Sequence, residues 1–386
     1  MWKLQENALT EQDLKSLSKY ILKTKKLTQG DEVEKFEKKF SKWNKSKYSI
    51  LVNSGSSANL LIINAAKELY NWKSGDEIIV PSLTWPTTVN PVFQANLKPI
   101  FIDTNFEDLS FDYEELKKKI NNKTKAIFVA HILGFPANIK KIKKIIKGKN
   151  IKILEDCCES TGAKVGKKKV GNFGIGSSFS FYWGHHMTTI EGGMICTNNL
   201  QFYNLCRMKR SHGFARELSQ KNYSKLKRKF YDIDFNFLFL TDGYNLRSTN
   251  LNAFLGIRQL KKLNSFIIKR NENYKKYLNC LKNYRSRFNI INYSDIKLIS
   301  SFALPFIFKE KKFLIKFKKL LVKYKIEFRS LIVGDLTKQP YLFKYKKKNL
   351  NAEIIHQKGI YIGNNQFVGK RNFLILEKIL FQTFNY

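Results

Sequence analysis

The chain has 386 residues, 43% of them hydrophobic, and carries 70 Lys+Arg against 31 Asp+Glu, a formal charge of +39. That length and apolar share suffice for a sizeable core divided over two domains. No apolar stretch reaches membrane-spanning length and no cleavable leader pattern opens the chain, so a cytoplasmic protein without membrane insertion is expected. The lysines are spread along the whole length and accompany no nucleic-acid module, which argues against nucleic acid as a partner and leaves an anionic small molecule as the natural beneficiary of the field.

Residues 1–30 read as an N-terminal arm or short helices feeding the first domain. Strand patterns follow at 48–53, 77–80, 99–103, 126–131, 151–156, 177–182 and 193–197, with helical spacing between most of them, as at 58–70, 113–120 and 139–146. Such alternation predicts an α/β domain, residues 31–260, whose mainly parallel sheet is covered on both faces. A long helical pattern at 250–282 leads into a smaller C-terminal α+β domain, residues 261–386, with a strand at 300–308, a helix at 312–324 and a Gly/Asn-rich loop at 363–366. Ligands of open α/β sheets gather beyond the carboxyl ends of the strands. The loops after Asn53, Val80, Asp156 and Tyr182 are therefore where chemistry is expected.

Each of those loops carries unusual residues. Residues 53–59 read NSGSSAN, in which Gly55, Ser56 and Ser57 either cradle a phosphate at a helix N-terminus or simply cap the helix. Residues 81–86 read PSLTWP, and Trp85 is either a core residue or a stacking platform. Residues 154–163 read LEDCCESTGA, where Asp156 is a helix cap or a charged partner for a ligand. Residues 177–193, SSFSFYWGHHMTTIEGG, set His185 and His186 side by side with no third ligand at metal-site spacing, so no metal is expected. Cys157, Cys158, Cys196, Cys206 and Cys280 contain no CxxC pair and read as reduced thiols.

The run SFYWGHHMTTIEGG, with EDCCE and SLTWP upstream, resembles the DegT/DnrJ/EryC1/StrS family of sugar aminotransferases and dehydratases that use pyridoxal phosphate (PLP). The resemblance covers nearly the whole chain and is densest between residues 50 and 260. It implies the PLP-dependent aminotransferase-like fold (fold type I). In the family pattern a lysine stands where this chain has His185. A lysine would tether the coenzyme as a Schiff base and also move protons; an imidazole can do only the second. With its ordinary pKa, about 6.5, His185 is expected to serve as the base near neutral pH.

The resemblance also implies roles for other positions. Gly55, Ser56, Ser57 and Ser180 would hold the coenzyme phosphate, Trp85 would stack on the ring, and Asp156 would face the ring nitrogen. Glu159 stands where family aminotransferases usually carry a neutral glutamine, and either bonds the ring oxygen or substrate or remains a partly solvated carboxylate. His186 would orient or support the site. Asn245 would reach the coenzyme phosphate of a neighbouring subunit, implying a homodimer with shared active sites, with Arg247 buttressing that loop by ion pairing. His212, Arg216 and Arg329 are candidates for substrate. Relatives with histidine at this position and an iron–sulfur cluster resemble one another in a compact set of cysteines, whereas only Cys206 lies between Thr197 and Cys280 here, so no cluster is expected.

The implied activity is loss of the C3 hydroxyl from a nucleotide-linked 4-keto-6-deoxyhexose, GDP-linked by the likeness, on PLP/pyridoxamine phosphate. L-glutamate would donate the amine and ammonia would be released, as a step of deoxysugar and O-antigen lipopolysaccharide biosynthesis. The alternatives are a nucleotide-sugar aminotransferase that tolerates histidine and a non-catalytic binding protein on the same fold.

Overall fold

Short runs of Ile, Val, Leu and Phe, buried on both faces, supply the central sheet of the computed structural model, which describes residues 1–291 and 296–385. In chain order the strands are β1 Tyr48–Val52, β2 Glu77–Pro81, β3 Lys98–Ile102, β4 Thr124–Ala130, β5 Lys152–Asp156, the two-residue strands β6 Lys164–Val165 and β7 Lys168–Lys169, then β8 Gly176–Ser180 and β9 Gly193–Thr197. Seven of these form one sheet in the order β1-β9-β8-β5-β4-β2-β3. Only β9 runs against its neighbours; the pairings β2–β3, β2–β4, β4–β5 and β5–β8 are parallel. Each of the seven expected strands is present, with ends shifted by no more than a few residues.

Side chains alternate across the sheet with the period of two that a strand imposes. Ile78, Val80, Ala126, Phe128 and Leu154 face one apolar layer, together with Ile62 and Ala66 of the helix Gly55–Leu69. Ile79, Ile127, Val129 and Ile153 face the other, against Ile139 and Ile142 of the helix Ile139–Ile145. With both faces covered by helices, the open ends of the strands are left for a site.

Glu155, fully buried, shows how the strand-end loops are fixed. Its carboxylate accepts the N–H groups of Gly171 (2.7 Å), Phe173 (2.6 Å) and Gly174 (2.8 Å), and pairs with His131 Nε2 at 3.2 Å. His131, Glu155 and Cys157 lie close enough to suggest a metal cluster. The hydrogen bonds already made to Glu155 give it a structural occupation. Because residues alternate along β5, Asp156 points the opposite way from Glu155, toward the strand-end cavity.

The helix Asn250–Cys280, capped by Thr249, spans 31 residues and runs on through position 260 without a break. Beyond it come β10 Ile296–Leu298, which pairs with β6, then β11 Ala303–Ile307, β12 Phe328–Ser330 and β13 Gly359–Gly363. The last three make an antiparallel sheet in the order β11-β13-β12, packed on the helices Lys311–Lys323 and Lys370–Phe384 through Phe306, Phe317, Leu376 and Leu380. The N-terminal stretch is firmly attached. It contains the helix Glu11–Lys23, whose buried Asp13 binds Arg258 at 2.9 Å and Lys262 at 2.7 Å. Among the described residues no helix is long and apolar enough to cross a membrane.

Candidate active site

The loops after β1, β2, β5 and β8 converge on one cavity of ≈ 370 Å³, completed by Phe302, by Arg329 on β12 and by Tyr361 on β13. Gly55, Ser56, Trp85, Asp156, Glu159, Ser180, His185 and Arg329, all singled out from sequence, line it together. No lysine lines it among the described residues.

Asp156 forms one wall. Its Oδ2 accepts Asn59 Nδ2–H at 2.7 Å and the Thr88 hydroxyl at 2.9 Å, and its Oδ1 accepts the Cys158 N–H at 3.1 Å. Thr88 is steadied in turn by Thr84 at 2.8 Å. These donors hold the carboxylate in one orientation. Gly55 begins its helix close against β8: a methyl there would lie 2.7 Å from Ser180 Cβ and 3.1 Å from Ser180 Oγ. Bare backbone is required at that point, where helix N–H groups and a hydroxyl meet. Ser57 does not join the cavity lining. Its N–H and hydroxyl pair with Ser54 Oγ at 3.1 and 3.0 Å, because Ser54 is the N-cap of the helix. Trp85, 53% exposed, is not a core residue; it caps the helix Pro86–Gln94 and leaves its ring at the cavity.

Glu159 Oε2 accepts the N–H of Leu133 at 2.8 Å. Burial first, and the nearby charge of Asp156, push its carboxyl up to about 7 against that hydrogen bond. The group therefore carries a proton over much of the neutral range, closer to a neutral glutamine than to a solvated carboxylate. The folded chain binds this proton more tightly than the unfolded one, so the stability it contributes is full below about 4.5 and is lost as pH rises toward 7. Denaturant titrations of the coenzyme-free protein should show wild type losing stability relative to Glu159→Gln between pH 4.5 and 7. Parallel curves for the two proteins would contradict this.

His185 lies in a turn closed by its own N–H to Tyr182 O at 3.0 Å, and its carbonyl accepts from Arg270 at 3.5 Å. The ring sits 5.9 Å from Tyr182 and 5.3 Å from Phe302, and Nδ1 is buried without a partner. Its pKa is not the ordinary one. Burial, and next the Arg270 guanidinium, hold the imidazole down to about 4, so it stays neutral at physiological pH. Arg270 is itself buried and donates to the carbonyls of Ser301, Phe302 and Asn364. His186 is a support: fully enclosed, its Nε2 donates to Ser300 O at 2.7 Å and fastens the turn to the C-terminal half.

Besides Ser57, three candidates lie outside the chain's own cavity. Asn245 is exposed, on a segment whose backbone bonds to Lys209, Arg210 and Asn53 along the outer side of β1. His212 adopts a left-handed backbone (φ 60°) beside Phe214, and the Arg216 guanidinium lies 3.8 Å over the Phe214 ring. Arg247 makes a main-chain bridge to Val52, and no ion pair engages it among the described residues, contrary to the expected buttress. Sequence reading missed Thr88, His131, Tyr182, Glu191, Phe302 and Tyr361, and also Gln5, which reaches the cavity from the N-terminal segment. Thr88, three residues beyond Trp85, and Tyr182 and Glu191, inside the motif around His185, had local signals; the others had none.

The profile of the DegT/DnrJ/EryC1/StrS aminotransferase family matches residues 8–364. The chain is 36% identical to GDP-4-keto-6-deoxy-D-mannose 3-dehydratase of Escherichia coli O55:H7 over 90% of its own length and 91% of that protein's. It is 34% identical to the enzyme of the same name from Yersinia pseudotuberculosis, with 92% of each chain covered. A crystal structure of GDP-4-keto-6-deoxymannose-3-dehydratase with a trapped PLP-glutamate geminal diamine superposes with a TM-score of 0.90 at 32% identity, covering 98% of this chain and 100% of the other.

Proposed function

This chain belongs to the DegT/DnrJ/EryC1/StrS aminotransferase family, and from that premise we propose that it is a PLP-dependent nucleotide-sugar 3-dehydratase acting on GDP-4-keto-6-deoxy-D-mannose. L-glutamate supplies both the amine and the reducing electrons and leaves as 2-oxoglutarate. The sugar loses its C3 hydroxyl, and ammonia is released with the 4-keto-3,6-dideoxy product. The observation that carries this reading is a cavity lined by Asp156, Trp85 and His185 but, among the described residues, by no lysine.

The residues fit the coenzyme. Gly55, Ser56 and Ser180 offer bare backbone, a helix N-terminus and a hydroxyl for its phosphate. Trp85 offers an exposed aromatic face for its ring, and Asp156, oriented by Asn59, Thr88 and Cys158, offers a carboxylate for its ring nitrogen. When bound, pyridoxal phosphate supplies an electron sink. His185 supplies the proton transfer, through Nε2, since Nδ1 is sealed in the interior. Glu159, with its carboxyl raised to about 7, holds a proton in a large share of molecules near neutral pH and in that form donates a hydrogen bond where a charged carboxylate would only accept one.

The same reading makes the protein a cytoplasmic homodimer in which each protomer lends Asn245 to its partner's cavity, with His212 and Arg216 as candidates for substrate. The exposure of Asn245 outside its own cavity supports this. The division into a large domain, residues 31–260, and a small one, residues 261–386, belongs to the same reading. Incubation of the GDP 4-keto sugar with enzyme, PLP and glutamate, followed by mass spectrometry, tests the activity. The expected product has lost its C3 oxygen and carries no new nitrogen; a retained amine would instead identify an aminotransferase.

A further inference from the structure

We propose that Gln5 contacts the sugar of the nucleotide-sugar substrate and acts as a specificity-determining residue, a role that rests on the dehydratase reading above. Gln5 lines the cavity, and its carboxamide lies directly against Gly184. A Cβ at Gly184 would overlap the Gln5 carboxamide as it lies, so with glycine there the amide rests against bare backbone beside His185.

The segment that delivers Gln5 is tied down at Trp2 and at Leu4. Trp2 is buried, donates Nε1–H to Gly363 O at 2.9 Å, and meets Phe373 edge to face with ring centroids 5.9 Å apart. The Trp2 N–H reaches Lys325 O at 3.1 Å, its carbonyl accepts Glu327 N–H at 2.9 Å, and the Leu4 N–H donates to Glu327 Oε2 at 2.9 Å. Gly363 leaves room for the Lys3 carbonyl, as Gly184 does for Gln5. These contacts fix the chain as far as Leu4, and among the described residues no hydrogen bond engages the Gln5 amide.

A carboxamide presents a donor and an acceptor together, the pair that hydroxyl and keto groups of a sugar require. The phosphate cradle and Asp156 stand at the strand ends, whereas Gln5 adjoins the turn bearing His185. The proton His185 moves belongs to the coenzyme carbon whose amine takes the sugar's C4 ketone, so an amide beside His185 stands next to the sugar.

Gln5→Ala should raise the KM for the 4-keto sugar about tenfold, the size of one hydrogen bond. It should weaken binding of GDP-mannose, used as an unreactive probe in calorimetry, by a similar factor. The rate at which glutamate bleaches the aldehyde-form coenzyme should change less than about twofold. Equal slowing of the glutamate step would mark a structural role and overturn the proposal, as would an unchanged KM and Kd in an otherwise active protein. A wild-type chain that does not turn over the sugar would remove the dehydratase reading and this role with it.

Discussion

His185→Asn should lower sugar deoxygenation by about 10²–10⁴-fold, the contribution of one positioned proton carrier. Asparagine approximates the shape of the imidazole but takes up no proton. The turn should survive, because its bonds to Tyr182 and Arg270 are made by the main chain of residue 185 and its ring nitrogen Nδ1 has no partner to lose. GDP-mannose should therefore still bind while product formation, followed by mass spectrometry, collapses. His185→Lys should go the other way in kind, restoring an amine that holds the coenzyme and yielding an aminated sugar. Burial keeps the native imidazole neutral down to about 4, so its titration should leave no acid limb in the rate profile between pH 6 and 8. In stability the sign follows from the depressed value: the contribution is full above about 6.5 and is lost as pH falls toward 4, because only the unfolded chain takes up the proton in that window.

Asp156→Asn should reduce turnover by about 10²–10³-fold, the scale of removing one preorganised electrostatic contact. Both carboxylate oxygens are committed, Oδ2 to Asn59 and Thr88 and Oδ1 to Cys158 N–H. An amide must turn its NH₂ against one of these donor sets, and whichever way it lies it brings no charge to the ring nitrogen of the coenzyme. The loss should appear in kcat together with a weakened absorbance band of bound coenzyme. Glu159→Gln is the contrast, expected to retain turnover within about threefold because the native side chain already holds its proton near neutrality. Equal damage from the two substitutions would show that the cavity treats both acids as anions.

The strands and the location of the site were legible because each depends on local pattern. Continuous apolar runs mark buried parallel strands, and ligands of such sheets collect at one end. Sheet order and the reversed β9 follow from packing among distant segments. Trp85 was ambiguous because an aromatic after a strand suits a core as well as a ligand, and only its exposure in the fold decides. Ser57 was read as a ligand although Ser54, three residues earlier, stands at the spacing of an N-cap. The lowered pKa of His185 was hidden because it comes from burial and from Arg270, which arrives on the long helix Asn250–Cys280. Gln5 meets Gly184 only through the anchoring of Trp2 on the C-terminal sheet, for which no local pattern exists.

Reduction of the coenzyme-loaded resting protein with sodium borohydride, followed by intact-mass and peptide mass spectrometry, bears most directly on an untethered coenzyme served by His185. The expected spectrum is that of the bare chain, with the vitamin B6 group washed away. A reduced coenzyme fixed to any lysine would contradict the account.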